Sequence, residues 1–386
     1  MRLNQRSWGE LAADKRAATL AKVPEAWRLR TTQHHSTFHL QILDQDEIAI
    51  TSQNTTQTAS TIEAGHLTAV QVTTAFCKRA AIAHQINNCL HEIFFDQAVE
   101  RAKQLDAYFA QHKKPCGPLH GVPVSLKDQF HVKDIDTTMG YVGWIGSNLG
   151  IKHPEQSHSV ESQITTELLG LGAVLYCKTS LPQTLLFGET KNNIIGETLN
   201  PHNQNLSCGG SSGGEGALQA LGGSTLGVGT DIGGSVRIPA AFNGIFSIKP
   251  TPERVSYREV ANTNPGQNTY RSTVGFLNTS LDGLELILRS ILSTEPWLRD
   301  PAVVPIPFRN QIVDDFLSRA ERDGTAKTTD KPLKLGILWT DGQVRPHPPV
   351  TRGLQMVVDA VKEAGHKVLR LSCSVYSLDV ALHYIR

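Results

Sequence analysis

The sequence contains no long hydrophobic run and no excess of charge of one sign. Across its 386 residues, Lys and Arg number 37 while Asp and Glu number 36. This balance argues against a protein that binds a nucleic-acid backbone or an anionic membrane surface. The polar start, MRLNQRSWGELAADKR, lacks the apolar core of a secretory signal, and no window reaches the roughly 18 apolar residues of a membrane-spanning helix. We therefore expect a cytoplasmic protein with no membrane span and no nucleic-acid partner.

Cysteine is also sparse. The six cysteines are scattered along the chain, and none belongs to a Cys-x-x-Cys pair. In a chain of this length, such thiols are typical of an intracellular protein in which cysteine stays reduced and buried. The pattern predicts neither a disulfide framework nor a metal site.

Glycine, in contrast, is concentrated in one stretch, where it provides 11 of the 26 residues from Gly209 to Gly234. Leucine and valine alternate with the glycines, which argues against a flexible linker. The pattern predicts a short helix over Gly213–Leu221 and a buried strand over Thr225–Thr230, with glycines at the turns. Two of these turns carry serines: Ser211 and Ser212 lie in the first, and Ser235 lies in the second. A hydroxyl surrounded by small residues indicates a place where a substrate meets backbone amides.

The rest of the chain alternates helix and strand patterns, which is typical of an α/β fold. We expect a mostly parallel, twisted, mixed sheet covered by helices on both faces. The predicted segments are a helix over 7–20, a polar surface segment over 31–61 with at most a short helix, helices from 68 and over 96–109, a strand over 122–126, a helix over 159–169, a strand over 173–177, an irregular segment to about 275, a helix over 280–292, and a strand, helix and strand over 333–339, 351–364 and 367–371.

These segments predict a single domain over residues 1–386. Its parts are an N-terminal helical layer over 1–110, a catalytic core over 115–295, a surface connection over 296–330 and an incomplete strand–helix–strand segment over 331–386.

Glycine-rich sequence often binds phosphate, but the details fit poorly here. A P-loop needs Lys followed by Ser or Thr after its last glycine, whereas Gly214 is followed by Glu215. The segment Gly227–Gly233 has one residue too many for the dinucleotide-binding pattern. The segment Gly209–Gly213 does satisfy the Gly-x-Ser-x-Gly pattern of a nucleophile elbow, which also requires an acid and a histidine later in the chain. None of the later histidines lies in a sequence motif that indicates a catalytic role.

A third arrangement needs no histidine, because a neutral lysine can activate a serine through a second serine. Lys127 follows the apolar strand Val122–Leu126, where burial would lower its pKa. A fall from about 10.4 to neutrality corresponds to about 4 kcal/mol. From this context alone, a solvated lysine at the end of a strand is the commoner alternative.

Several ordered motifs resemble the amidase signature family. GGSSGGEGALQALGGSTLGVGTDIGGSVRIPAAFNG over 209–244 resembles its serine-containing signature, and PLHGVPVSLKDQF over 118–130 resembles its lysine strand. GAVLYCKTSLPQ, GETKNNIIGETLNP and LGILWTDGQVRPHPPVTR are similar to the fungal acetamidase-like and fatty-acid-amide-hydrolase-like branch. The resemblance covers nearly the whole chain and is weakest over 31–61.

The resemblance implies an α/β amidase signature fold and a serine hydrolase that cleaves a small-molecule amide without a cofactor or metal. Carried over by motif, the nucleophile is Ser235, the bridging serine, which follows a cis peptide in the family, is Ser211, and the base is Lys127. The implied oxyanion hole consists of the backbone amides of Ile232, Gly233, Gly234 and Ser235. The resemblance leaves three supporting positions, for which turn or surface roles are alternatives: Ser212, Asp231 and Arg237.

Members of this branch usually continue beyond the point that corresponds to Arg386, so we expect a chain truncated at its C-terminus. Two further functions therefore stand beside the amidase: a truncated non-catalytic remnant, whether inert or serving as the binding partner of an amidase, and the catalytic subunit of an amidotransferase. An unpaired sheet edge also predicts association into a homodimer.

Overall fold

The computed structural model describes residues 6–29, 42–147, 159–320 and 332–371. They belong to two compact units, Met1–Pro307 and Phe308–Arg386. In the first unit, the described helices are α1 (Trp8–Ala21), α2 (Gln45–Thr51), α3 (Thr55–Glu63), α4 (Ala69–Asn87), α5 (Phe95–His112), α6 (Gln163–Gly170), α7 (Gly213–Ala220), α8 (Arg237–Asn243) and α9 (Leu281–Ser293). Its described strands are β1 (Leu90–Ile93), β2 (Pro123–Lys127), β3 (Val174–Thr179), β4 (Thr190–Asn192), β5 (Gly196–Asn200), β6 (Asn203–Ser207), β7 (Leu226–Asp231), β8 (Phe246–Ile248) and β9 (Thr273–Asn278).

A six-stranded mixed sheet in the order β1-β3-β2-β7-β9-β8 forms the centre of the first unit. The three central strands β3, β2 and β7 run parallel, while β1 at one edge and β9 and β8 at the other pair antiparallel. The strands β4, β5 and β6 form a separate antiparallel sheet. The α/β class and the mixed sheet that the sequence predicts are confirmed.

Helices cover both faces of the central sheet. The α6 and α9 helices pack on one face against a core that includes Val124 and Leu126 of β2. The α4, α5 and α7 helices pack on the other face, against Val174 and Tyr176 of β3. Since successive side chains of a strand point to opposite faces, Lys127 lies on the face opposite to Leu126, which is the face of α7.

Local signals explain the helices that the sequence predicts correctly. Ser7 caps α1 through a capping box with Glu10, and the helix agrees with the prediction over 7–20. The expectation of a polar surface segment with at most a short helix over 31–61 is wrong in its described part, because α2 and α3 lie there. Both helices begin with capping boxes, Asp44 with Glu47 and Asn54 with Gln57. Residues 30–41 lie outside the described part of the chain.

The expectation of an irregular segment up to about Gly275 is also wrong, because α8, β8 and the start of β9 lie there. The six residues of β9 pair antiparallel with all six of β7, from Leu226 opposite Asn278 to Asp231 opposite Thr273. A distant partner strand supplies these hydrogen bonds, which is why the local pattern did not reveal the strand. The same reason applies to β1.

In the second unit, the described elements are α10 (Asn310–Ala320), β10 (Lys334–Leu338), α11 (Pro348–Glu363) and β11 (Lys367–Leu371). The two strands pair parallel, from Lys334 opposite Lys367 to Leu338 opposite Leu371, and α11 connects them. This strand–helix–strand order agrees with the prediction, whereas α10 is a helix within the expected surface connection over 296–330. The assignment of the whole chain to one domain stays a prediction.

Candidate active site

Lys127 occupies the last position of β2, and its side chain is fully buried. Its Nζ lies 2.7 Å from Oγ of Ser211 and 3.0 Å from Oγ1 of Thr230. The alternative of a solvated lysine at this strand end is therefore wrong. The structure brings together the lysine and one of the two serines that the sequence analysis selected.

Burial lowers the pKa of Lys127 from 10.5 to about 7. Two carboxyl groups act in the opposite direction, because the negative charges of Asp231 and Glu215 favour the ammonium form. Desolvation is the larger effect, so that an appreciable share of the lysine is neutral near pH 7. A neutral amine in a buried site has a lone pair that can accept a proton.

Ser211 and Ser212 lie in the tight turn before α7, where the Gly210–Ser211 peptide bond is cis. Neighbouring backbone and side chains crowd this turn. A Cβ atom on Gly213 would overlap Oγ1 of Thr190, and one on Gly214 would overlap the backbone nitrogen of Ser180. Both positions therefore require glycine so that α7 can start close to the sheet. Part of the glycine pattern in the sequence reflects this close packing.

Ser235 lies in the loop between β7 and α8, after Gly234, whose φ of +124° favours glycine. The backbone N–H of Ser212 donates to the carbonyl oxygen of Ser235 over 3.0 Å, which ties the two serine loops together. Ser211 and Ser235 both line one cavity of about 200 Å³. Among the described residues, no hydrogen bond joins the hydroxyls of these two serines in this conformation.

Asp231, at the end of β7, is buried and holds the Ser235 loop through its carboxylate. It accepts hydrogen bonds from the backbone N–H groups of Gly234 at 2.8 Å and Val236 at 3.1 Å. Arg237 donates to both of its oxygens, over 3.0 and 2.9 Å, from a side chain that is 54% exposed. Burial acts to raise the pKa of Asp231, but these hydrogen bonds outweigh it and lower the pKa below 3.8.

The backbone amides around Ser235 divide into two groups. The N–H of Gly234 is bonded to Asp231. Over the described ranges, the N–H groups of Ile232, Gly233 and Ser235 have no acceptor within the protein. Three of the four N–H groups of the implied oxyanion hole thus remain available to a substrate oxygen. The fourth, from Gly234, holds the loop through Asp231.

Sequence reasoning did not select Thr230, Gln129 or Glu215 as site residues. Glu215 of α7 is fully buried and accepts hydrogen bonds from Ser125 at 2.6 Å and Thr179 at 2.8 Å. Burial raises its pKa to about 7. A charged residue inside a short, apolar, glycine-rich helix is unusual, and this sequence signal could have identified Glu215.

The cavity beside Ser235 is lined mostly by polar side chains, together with the apolar and aromatic side chains of Leu185, Leu186, Ile232, Tyr257 and Tyr270. A larger cavity of about 530 Å³ shares Tyr257 and Ser272 with it. Throughout the described ranges, His, Cys, Asp and Glu form no group of three or more suited to a metal ion. The helices that the structure describes include none with the length and apolar character of a membrane span.

These features agree with the comparison with known proteins, which shows that the chain belongs to the amidase family. The family model described as Amidase matches residues 71–385. The chain is 46% identical over 367 residues to an acetamidase of Emericella nidulans and 45% identical over 367 residues to an acetamidase of Aspergillus oryzae. Both alignments cover 94% of this chain and 64% of the relative.

The fold comparison agrees with the sequence comparison. A solved structure of a fatty acid amide hydrolase superimposes with a TM-score of 0.83 at 35% identity, covering 98% of this chain and 64% of that one. The chain therefore has the amidase signature fold and belongs to the branch of the fungal acetamidases and fatty acid amide hydrolases. It spans just under two thirds of the length of these relatives.

Proposed function

We propose that this protein is a serine hydrolase that cleaves carboxylic acid amides through an acyl-enzyme on Ser235. The observation that carries the proposal is the buried Lys127, whose Nζ lies 2.7 Å from Ser211 Oγ at the wall of the cavity that also contains Ser235. A buried amine with a pKa of about 7 suits a general base near neutral pH. Membership of the amidase family supports the same reaction class.

In the proposed acylation, Oγ of Ser235 attacks the amide carbonyl carbon. Its proton passes to Ser211, and the Ser211 proton passes to the neutral amine of Lys127. The carbonyl oxygen becomes negatively charged, and the open N–H groups of Ile232, Gly233 and Ser235 stabilise it. We assign the N–H of Gly234 to loop support, because Asp231 already accepts from it.

The collapse of this tetrahedral intermediate breaks the carbon–nitrogen bond. The proton held by Lys127 returns through Ser211 to the leaving nitrogen, which departs as an amine or ammonia. Water then attacks the acyl-enzyme, with the same relay accepting its proton, and the carboxylic acid leaves as Ser235 regains its hydroxyl. The steps balance without a cofactor or metal.

A small amide is the proposed substrate class. The cavity beside Ser235 has a volume of only about 200 Å³, and the two fungal relatives are named acetamidases. A panel of primary amides graded by acyl length, with ammonia release as the readout, tests this proposal. A rate that rises steadily with chain length would contradict it and indicate use of the larger adjoining cavity.

Covalent labelling tests the nucleophile directly. A small alkyl fluorophosphonate should label the protein once, and intact-mass and peptide analysis should locate the adduct on Ser235. Ser235→Ala should abolish both labelling and amide hydrolysis. Ser272→Ala, which removes another serine from the wall of the same cavity, is the matched control and should retain labelling. Labelling that persists in Ser235→Ala would exclude Ser235 as the nucleophile.

The cytoplasmic location and the homodimer stay predictions from the sequence. Fractionation of the source cells tests the first, and light scattering after gel filtration tests the second.

A further inference from the structure

The lysine of the proposed relay has a second hydrogen-bond partner that the relay does not use. Thr230 of β7 places its Oγ1 3.0 Å from Nζ of Lys127 and 2.5 Å from Oε1 of Gln129. Gln129 follows Lys127 by two positions and is fully buried at the wall of the cavity that contains both serines. Three side chains therefore form a chain of hydrogen bonds that ends on the amine.

The orientation of the Gln129 amide follows from its other contacts. Its Nε2 lies 2.7 Å from the carbonyl oxygen of Ala261 and 3.2 Å from the hydroxyl of Tyr257. A carbonyl oxygen can only accept a hydrogen bond, so the NH₂ end of the amide must face Ala261. The backbone N–H of Ala261 also donates to the backbone oxygen of Gln129 over 3.1 Å. The amide oxygen is consequently held towards Thr230.

This orientation determines where the hydroxyl proton of Thr230 points. A threonine hydroxyl has one proton, and Oε1 of Gln129 can only accept. The proton therefore points at Gln129, and Thr230 presents a lone pair to Lys127. The neutral amine must then donate one N–H to Thr230, which leaves its own lone pair free for the hydroxyl proton of Ser211.

We infer that Gln129 is a positioning residue that acts through Thr230 to direct the lone pair of Lys127 towards Ser211. This inference rests on the proposed function. It also identifies a residue that the amidase motifs in the sequence do not single out. Without Gln129, the Thr230 hydroxyl can rotate and donate to the lysine lone pair, in direct competition with Ser211.

The pH dependence of fluorophosphonate labelling measures this effect. In the unmodified protein, the second-order labelling rate should rise with pH as the lysine loses its proton. In Gln129→Met, the plateau should fall about tenfold and the midpoint should move down by about one pH unit, because the freed hydroxyl stabilises the neutral amine while occupying its lone pair. Thr230→Val should also lower the midpoint, because the ammonium form loses an acceptor. Thr230→Ser should restore both the plateau rate and the midpoint of the unmodified protein.

Charged groups on the neighbouring elements also affect this midpoint. They are Glu215 from α7 and Asp231 at the end of β7. Asp128, the residue after Lys127, instead pairs with Lys178 of β3 at 3.0 Å. None is changed in these variants, so a difference between them isolates the hydrogen-bond chain. Since the carboxyl of Glu215 titrates in the same range, each midpoint belongs to the coupled pair and only the shift is interpreted.

A double variant separates positioning from general structural support. Gln129→Met in the Thr230→Val background should produce no further shift of the midpoint, because Gln129 acts only through the missing hydroxyl. An additional shift would overturn the inference. Tyr257→Phe should leave the midpoint unchanged. A shift in Tyr257→Phe with none in Gln129→Met would assign the Thr230 proton to Tyr257 and would equally overturn it.

Gln129→Glu keeps the test decisive if the methionine variant fails to fold. Its second oxygen replaces the NH₂ group that faces the carbonyl oxygen of Ala261 and must carry a proton there, so the neutral carboxyl still offers an acceptor to Thr230. The plateau should therefore stay within about threefold, and the midpoint should stay close to that of the unmodified protein. A lost plateau with an unmoved midpoint would refute the inference. Failure of the unmodified protein to label at Ser235 would instead refute the proposed function, and the two failures are thus distinguishable.

Discussion

Replacing Lys127, the proposed base, with methionine should raise the stability of the folded protein and abolish its activity. The pKa of Lys127 falls from 10.5 in water to about 7 in the folded state. The difference of about 3.5 units, at about 1.36 kcal/mol per unit, corresponds to about 5 kcal/mol of folding free energy lost at and below neutral pH. Lys127→Met removes this cost but leaves Ser211 without its amine partner, which costs about 1–3 kcal/mol. The net gain at pH 7 should be about 2–4 kcal/mol.

The sign of the pH dependence makes this prediction specific. Between pH 7 and 10.5 the unfolded chain binds a proton at Lys127 that the folded protein releases, so the stability of the unmodified protein rises with pH in that window. Relative to Lys127→Met, the rise should be about 2.7 kcal/mol from pH 7.5 to pH 9.5. Above about pH 10.5 the advantage of the methionine variant should be gone.

Urea denaturation of both proteins at the two pH values measures this difference. Lys103→Met is the matched control, because the side chain of Lys103 is 62% exposed and lies 3.4 Å from the carboxylate of Glu100; it should show no such pH-dependent gain. Parallel stability curves for the unmodified protein and Lys127→Met would show that the lysine stays charged in the fold. That result would refute its role as a base.

Three further predictions follow from the same site. The kcat/KM for amide hydrolysis should rise with pH through about 7, because only neutral Lys127 accepts a proton; a flat profile from pH 5 to 9 would contradict the relay. Asp231→Asn should lower the free energy of unfolding by about 1–3 kcal/mol in thermal melts, whereas Arg237→Gln, at a half-exposed position, should cost less than about 1 kcal/mol; equal losses would refute the bracing role of the carboxylate. Gly213→Ala should cost about 1–3 kcal/mol through overpacking, while Gly233→Ala, with open space around the added methyl, should leave the melting temperature unchanged; the reverse order would contradict the close packing of α7.

Comparison of the predicted and observed elements shows which signals were local. The glycine and serine pattern predicted α7 and β7 to within one residue at their ends, because turns and tight packing require glycine at specific positions. The capping boxes of α2 and α3 were also visible in the sequence, but the prediction did not use them. The strands β1 and β9 had no comparable local signal, since each is defined by pairing with a distant strand.

The sequence by itself determined the fold class, the family and the identity of the three residues proposed for the relay, since these follow from ordered motifs and local chemistry. Only the tertiary structure decided the state of those residues. Burial beneath α7 lowers the pKa of Lys127, and Asp231 takes the N–H of Gly234 away from the implied oxyanion hole. Likewise, Thr230 connects Gln129 to Lys127 by hydrogen bonds, although Thr230 and Gln129 are 101 positions apart in the chain. Proton affinity and hydrogen-bond direction depend on neighbours in space, which no local pattern of residues encodes.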